Sequence, residues 1–512
     1  MLLRVVFVLL AILPPLQAQR ILVSPYVQPG DGSKLTSADV KVIAWVTDPV
    51  SADYVVEYGP ADGPMQQAKP RRTPLDFAAR APLFGSPPTP APANPFANAA
   101  TDLDSLQTQI VRDSAVFVPD AEQHYLSYAA TLRNLPFDST ITYRVSLGEK
   151  VVRTGTFKTR ASAGNPIRFV AVGDLADGGN EQDAIAWQIS RQHPNLMIGL
   201  GDLVYSQGRV SQYLHHFWPT YNDVAEPGPK TGAPLFASIP FYPVLGNHDV
   251  EFTRLPDYPD AFGAFYFFHV PQNGPGVGPW SLPLGRDKQA AESFRAKVGA
   301  TYPSLNVYSW DDGPAHFLVL DSNNNAKVDD PRLQAWIDND LHRTRQPWKF
   351  VCFHAPGFHS SIEHYPEQKM RLLEPIFEKN GVDLLLSGHV HNYQRTMPFH
   401  FKPTNGRDFR GNVKGEFTLD TKFDGITNTV PDGIIQIVSG GGGAMLYGMD
   451  FQETVDYLRL AHGGDYVPFT AKCVTTTHSF SLVDLTATTL TFRQISSEGE
   501  ELDKFVVTKM GQ

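Results

Sequence analysis

Cysteine is nearly absent: Cys352 and Cys473 are the only two in 512 residues. A disulfide framework therefore does not hold this chain together. Cys352 stands in the apolar run Phe350-Val351-Cys352-Phe353 and reads as a small buried hydrophobe, with pairing to Cys473 left open. Charge is also modest. Charged residues make up 19% and the net charge is −10, with no dense stripe of Lys and Arg. That balance argues against a nucleic-acid partner. It does not exclude an anionic substrate, because metal ions in a cleft reverse the local field. Long apolar runs are missing beyond the N-terminus, where Val5 to Leu13 follows Arg4 and precedes Leu16-Gln17-Ala18. This run is too short to span ~30 Å of hydrocarbon, which takes about 20 residues. With its basic flank and small-residue end, the segment 1–19 reads as a secretory signal. The expectation is an exported protein, secreted or periplasmic, with no membrane span.

What is present divides at about residue 160. From 20 to 160 the chain reads as short strands: Ile21-Leu22-Val23, Val40 to Val46, Tyr54 to Tyr58, Tyr125 to Leu132, Ile141 to Leu147 and Val151 to Lys158. No long segment of helical period interrupts them, so an all-β sandwich of antiparallel sheets is expected. A Pro/Ala-rich stretch at 82–100 reads as a surface insertion. After the small residues and proline of Ala161 to Pro166 the pattern changes. Ile167 to Val172 is an apolar strand, Glu181 to Gln192 has helical spacing, and Leu196 to Leu200 is a second strand. Strand–helix–strand order predicts a buried, largely parallel sheet. Further strands are expected at Phe241 to Leu245, His316 to Leu320, Phe350 to Phe353, Val382 to Leu386 and Ile434 to Val438. Helices are expected at Pro331 to Arg345 and Pro366 to Lys379. The alternating runs Ser479 to Leu485, Thr489 to Gln494 and Lys504 to Val507 should close this second unit, 165–510, with antiparallel strands.

Five of the apolar strands end in polar motifs. They are Gly173-Asp174, Gly201-Asp202-Leu203-Val204-Tyr205, Gly246-Asn247-His248-Asp249, Val351-Cys352-Phe353-His354 and Gly388-His389-Val390-His391. In α/β sheets, sites form beyond the carboxyl ends of strands, so all five can converge. Asp, Asn, His and Tyr offer oxygen and nitrogen donors suited to Fe, Zn or Mn. No thiolate is among them, which argues against a closed structural zinc site. Glycine before a ligand lets the backbone leave the strand without a Cβ clash. Alone, a Gly-Asp, an Asn-His-Asp or His354 is more often a turn, a cap or a core histidine, and Gly388-His389-Val390-His391 alone favours neither reading. Five together, each after an apolar strand, are a strong signal for a metal centre.

In this order the motifs resemble the metallophosphoesterase superfamily, and within it the purple acid phosphatases. The β-rich unit before them resembles the fibronectin type III-like domain that precedes the catalytic domain in plant-type members. The resemblance implies an α/β metallophosphoesterase sandwich, with helices flanking a mixed β-sheet core. It also implies two metal ions. Fe(III) would be held by Asp174, Asp202, Tyr205 and His391. A divalent Fe, Zn or Mn would be held by Asp202, Asn247, His354 and His389, with Asp202 bridging. Departures are small: Ala176 stands where the family's first motif usually has Gly, and Asp249 where its third usually has Glu.

The implied reaction is hydrolysis of phosphate monoesters by in-line attack of a metal-bound hydroxide. His248, beside Asn247, is placed to point at the phosphate. His359 and His364, on the loop leaving His354, are candidates to protonate the leaving group. Arg395, just after the last motif, is expected either at substrate or paired with an aspartate. One rival reading is a phosphodiesterase or nucleotide hydrolase of the same superfamily. Such enzymes often carry Asp-x-His in the first motif, whereas Leu175-Ala176 follows Asp174 here. A rival of another class is a catalytically dead wall- or carbohydrate-binding protein, against which all seven expected ligand positions are filled. Nothing in the sequence sets an oligomeric state.

Overall fold

Alternation of buried and exposed side chains builds the first unit. In the strand Tyr54–Pro60, Tyr54, Val56 and Tyr58 are buried while Val55 is exposed, the period-two pattern of a half-buried strand. Two antiparallel four-stranded sheets result. One is ordered Ile21–Gln28, Asp39–Thr47, Gln123–Leu135, Arg71–Phe77, and the other Gln66–Ala68, Tyr54–Pro60, Thr140–Leu147, Lys150–Lys158. Their shared core holds Val27, Ile43, Trp45, Tyr128 and Tyr143, with Trp45 stacked on Tyr128 at 5.2 Å. This computed structural model describes residues 19–78, 122–251, 258–281, 292, 296, 305–462 and 466–509. The signal-like segment, apart from Gln19, and the Pro/Ala-rich stretch 82–100 lie outside the described residues.

The strand Asp39–Thr47 is buried along its whole length. Ile43 and Trp45 face the sandwich core, whereas Val42, Ala44 and Val46 join the main core of the second unit. The two units are thus packed through an apolar face. Tyr26 lies 4.3 Å from the Trp218 ring and donates its hydroxyl to the Phe267 carbonyl at 2.8 Å. Beside this face sits a buried charge trio. Asp39 accepts from the Arg160 Nε at 2.8 Å and pairs with Lys41, and Arg160 Nη1 reaches the Asp311 carbonyl at 3.0 Å.

The second unit contains two mixed sheets flanked by helices, the mixed-core sandwich that the resemblance implies, whereas strand–helix–strand order alone favours a largely parallel sheet. The first runs Phe241–Val244, Leu196–Leu200, Ile167–Val172, Ser479–Leu485, Thr489–Ser496, Glu501–Thr508. The second runs Tyr308–Asp312, Ala315–Val319, Trp348–Cys352, Leu384–Ser387, Ile435–Ser439, Tyr393–Thr396, Thr470–Val474. The physical reason lies at one edge. Ser479–Leu485 pairs antiparallel with Ile167–Val172, so the later parallel strands cannot add there and form a second layer. Side-chain alternation fills both faces of that layer. Phe350, Cys352, Leu384 and Leu386 face the first sheet, where Phe169 meets Phe317 and Phe350 at 5.2 Å each. Val351, Phe353 and Leu385 face the helix Pro331–Arg343 and its neighbour through Leu333, Ile337, Leu341 and Phe377.

The helix Glu181–Gln192 forms as expected. The next ends at Arg343, and Asp330 caps it by accepting the Arg332 N–H at 2.9 Å. The segment expected as one helix from Pro366 resolves into a 3₁₀ turn, Lys369–Leu373, followed by a helix, Glu374–Lys379. Strands at Gln66–Ala68, Arg71–Phe77 and Tyr308–Asp312, and the hairpin Phe399–Pro403 with Gly415–Leu419, were not foreseen. Both cysteines are free, Cys352 buried as expected.

Glu374 is fully buried, and neither carboxyl oxygen has a hydrogen-bond partner among the described residues. Burial pushes its pKa well above the ordinary value of about 4.5. Such a group costs nothing extra below pH ~4.5, where it is protonated folded or unfolded, and costs progressively more as pH rises above that. Glu374→Met should therefore raise the thermal midpoint at pH 8, by the equivalent of about 1–3 kcal/mol, with little effect at pH 4. Equal shifts at both pH values in a thermal melt would count against it.

Candidate metal centre

The carboxyl ends of the two sheets meet, and the five motifs are gathered where they do. Ile167–Val172, Leu196–Leu200 and Phe241–Val244 run parallel and deliver Asp174, Asp202 with Tyr205, and Asn247 with His248. Trp348–Cys352 and Leu384–Ser387 run parallel in the other sheet and deliver His354, His389 and His391. A backbone bond ties the two layers, the Gly173 N–H donating to the Ser439 carbonyl at 2.9 Å, and within the second sheet the Gly388 N–H donates to the His354 carbonyl at 3.0 Å. The glycines serve mainly as space. A Cβ on Gly201 would lie 2.2 Å from the His354 ring, and one on Gly246 would lie 2.2 Å from Asp202 Oδ1. Of these two only Gly201 has a positive φ, +93°. Asp174, Asp202, His364 and His389 themselves occupy the left-handed region, at φ of 60°, 48°, 61° and 69°. Non-glycine residues rarely do so, and such strain collects at functional sites.

The side chains form two overlapping groups. Tyr205 Oη lies 3.0 Å from Asp174 Oδ1, 3.4 Å from Asp202 Oδ2 and 3.2 Å from His391 Nε2. His354 Nε2 lies 3.2 Å from the same Asp202 Oδ2, 3.0 Å from Asn247 Oδ1 and 3.1 Å from His389 Nδ1. Each imidazole is anchored from behind. His354 Nδ1 donates to the Leu200 carbonyl at 2.8 Å, His391 Nδ1 to the Met445 carbonyl at 2.7 Å, and His389 Nε2 to the Glu367 carboxylate at 3.1 Å. A nitrogen facing such an acceptor carries the hydrogen, so the other nitrogen presents its lone pair to the centre.

Electrostatics match this convergence. Burial opposes charge on His354, but Asp202 outweighs it and lifts the imidazole to about 10. Asp202 is held well below the usual carboxylate range because His354 and His248 overcome its burial. Burial, with Asp174 and Asp202 adding, pushes the Tyr205 phenol well above its ordinary 10. His389 falls to about 4 through burial and the nearby His364. Asp249 rises to about 8 by burial and by facing Asp202. It accepts from Gly246 N at 2.9 Å and Leu203 N at 3.2 Å, tying the third motif to the second.

His248 sits over Tyr205, ring centroids 4.6 Å apart, with Nδ1 donating to the Ser206 carbonyl at 2.9 Å. His364 lies against His389, centroids 3.9 Å apart. His359 is buried within electrostatic range of His364 and His389. The chain turns inward after Pro356, and Phe358 packs among Phe399, Phe401 and Phe469. His359 is buried beside Tyr365, neither ring nitrogen has a partner among the described residues, and burial holds it down to about 3. Burial thus favours its neutral form, which is the weaker proton donor. Arg395 pairs with Asp503 at 2.7 Å, away from the centre.

Two residues near the centre escaped the sequence reading. Glu367 joins His364 Nδ1 at 2.8 Å to His389 Nε2 at 3.1 Å. Tyr447 stacks on His391. Neither stands in a motif. Only the tetraglycine Gly440 to Gly443, which packs its backbone on Gly173 and Leu175, marked the second segment as special.

The family described as calcineurin-like phosphoesterase matches residues 167–393. Purple acid phosphatase 18 of Arabidopsis thaliana is 26% identical over 236 residues, 45% of this chain and 45% of that protein. Fe(3+)-Zn(2+) purple acid phosphatase 12 of the same plant is 24% identical over 271 residues, 51% of this chain and 50% of that protein. The chain thus spans about half the length of these relatives. Among solved structures, purple acid phosphatase PPD1 from yellow lupin seeds shares the fold at a TM-score of 0.60 and 16% identity, covering 94% of this chain and 74% of that one.

Proposed function

We propose that this chain, whose residues 167–393 form a calcineurin-like phosphoesterase domain homologous to purple acid phosphatases, hydrolyses phosphate monoesters at a two-metal centre. The observation that carries the reading is the position of one oxygen. Asp202 Oδ2 is 3.2 Å from His354 Nε2 and 3.4 Å from Tyr205 Oη, so a single carboxylate is shared by both donor groups. The donor set fits metal ions: two carboxylates, a phenol, a carboxamide and three imidazoles with lone pairs turned inward. Asp202, held well below the usual carboxylate range, supplies negative charge where the two groups meet.

In this reading Asp174, Asp202, Tyr205 and His391 hold Fe(III), and Asp202, Asn247, His354 and His389 hold a divalent Fe, Zn or Mn. The Arabidopsis relative named for Fe(3+) and Zn(2+) supports such a mixed pair. When bound, the two ions supply Lewis-acid activation of a water nucleophile and neutralise phosphoryl charge. The protein's own groups do the rest. His248, fixed by Ser206, presents Nε2 to a phosphoryl oxygen. His364, fixed by Glu367, gives a proton to the departing alcohol. The all-β unit, 20–160, is read as fibronectin type III-like on its two antiparallel sheets. The leader-like residues 1–19 support export, and no helix among the described residues is long and apolar enough to cross a membrane.

Metal analysis of the purified protein, combined with a phosphate-release screen over monoesters, diesters and nucleotides, tests this. Two ions per chain with monoester turnover are expected, and a metal-free, inactive protein defeats the reading. Tyr205 sharpens it. Its phenol is held well above 10, so only a strongly Lewis-acidic ion such as Fe(III) would convert it to phenolate. Iron-loaded protein should show a visible charge-transfer band, and Tyr205→Phe should be colourless. A band that survives in the Phe variant would remove Tyr205 from the ligand set.

A further inference from the structure

We propose that Tyr447 is a positioning residue that couples the two halves of the centre, setting the ring plane of His391 with its own ring and the direction of His364 with its hydroxyl. The inference rests on the phosphoesterase reading above and goes beyond it to a residue outside every motif.

The loop that carries Tyr447 is clamped to the motif strands. After the strand Ile435–Ser439, the Gly442 N–H donates to the Gly173 carbonyl at 3.0 Å, and Ala444 N–H to the Asp174 carbonyl at 3.0 Å. The Tyr447 N–H donates to the His391 carbonyl at 3.0 Å, while His391 Nδ1 donates back to the Met445 carbonyl at 2.7 Å. This reciprocal pair places the Tyr447 ring over the imidazole: centroids are 4.4 Å apart and the planes differ by 7°. Offset stacking of this kind resists rotation of the imidazole about its Cβ–Cγ bond.

The hydroxyl works on the other side. Tyr447 Oη is 3.2 Å from His364 Nε2, and His364 Nδ1 is committed to Glu367 at 2.8 Å. With Nδ1–H donating to that carboxylate, Nε2 faces the tyrosine hydroxyl in either state: neutral, it accepts from it, and protonated, its Nε2–H donates to Oη and is the proton available to the leaving group. His364 is thus held at both nitrogens, against the ring of His389 at 3.9 Å. One side chain therefore touches a residue of each proposed role. His391 belongs to the metal set, and His364 faces the leaving group.

The two contacts separate by substitution. Tyr447→Phe keeps the ring and removes the hydroxyl, whereas Tyr447→Leu removes both. The Phe variant should retain metal against a chelator as the wild type does. Its kcat should fall about 10-fold, the scale set by loss of an outer-sphere partner, more for poor leaving groups than good ones, with KM little changed. The Leu variant should show the same kcat loss and also release metal about 10-fold faster. Metal release is measured without substrate, so it does not depend on turnover. Wild-type protein that binds no metal and releases no phosphate defeats the underlying reading. An active, metal-loaded wild type whose Phe variant matches it in kcat across the leaving-group series, and whose Leu variant keeps metal equally well, overturns this inference alone.

Discussion

Asp202→Ala is expected to lower phosphate release by about 10³-fold or more, the scale lost when even one stabiliser of transition-state charge is removed, and to deplete both metals. No other proposed ligand sets a side-chain donor atom against side-chain donor atoms of both groups; Asp174 reaches the second only through the His389 backbone N–H, at 2.8 Å. Asp202 Oδ2 faces His354 and Tyr205 together, while Oδ1 accepts the His248 N–H at 2.8 Å. Alanine removes the shared charge and also frees the turn that carries Asn247 and His248. Asp202→Asn separates these effects: its amide oxygen can keep the His248 contact, but the charge is gone. Turnover should fall in both variants, with the third motif better ordered in the Asn protein. Purified Asp202→Ala that holds two ions per chain and hydrolyses monoesters near the wild-type rate would sink the bridging assignment.

Asp39→Ala should be the most destabilising single change outside the centre, by about 3–5 kcal/mol. Its carboxylate neutralises Lys41 and Arg160, and all three are almost wholly buried. Alanine would leave two buried cations facing each other at the joint between the units. Burial raises the Asp39 pKa, but Lys41 and Arg160 outweigh it and hold the carboxyl down to about 2. A depressed carboxyl stabilises the fold fully above its unfolded value, near 3.8, and loses that effect as pH falls towards 2. Its neighbour Asp312 runs the other way: burial pushes it up to about 7, so its cost appears as pH rises from 3.8 towards 7. The Asp39→Ala deficit should therefore be large at pH 6 and shrink below pH 4. Thermal melts across that range check it, and a midpoint indistinguishable from wild type at pH 6 would refute it.

Much of the centre was legible before any coordinates, because its signals are local. An apolar strand followed at once by polar donors is a short-range pattern, and each of the seven proposed ligands lies within five residues of a strand's carboxyl end. The helix Glu181–Gln192 and the closing strands Ser479–Leu485 and Thr489–Ser496 were likewise written in periodicity. Freedom to turn is only part of the glycines' use: at Gly246 a neighbour from another motif, Asp202, occupies the space of a Cβ.

By itself, then, the sequence determined many of the runs that become strands and the polar residues that stand at their ends, since both follow from neighbours a few positions apart. Only the tertiary structure decided which sheet each strand joins. Trp348–Cys352 and Leu384–Ser387 are apolar on both faces, and such runs bear no mark of their pairing partner. It also decided the fates of three histidines that look alike in sequence. His354 is anchored by a carbonyl 154 positions away, His364 by Glu367 and Tyr447, and His359 is buried with neither ring nitrogen hydrogen-bonded among the described residues. A side chain's protonation and reach depend on the charges and contacts that folding brings to it from distant parts of the chain, and no local pattern encodes them.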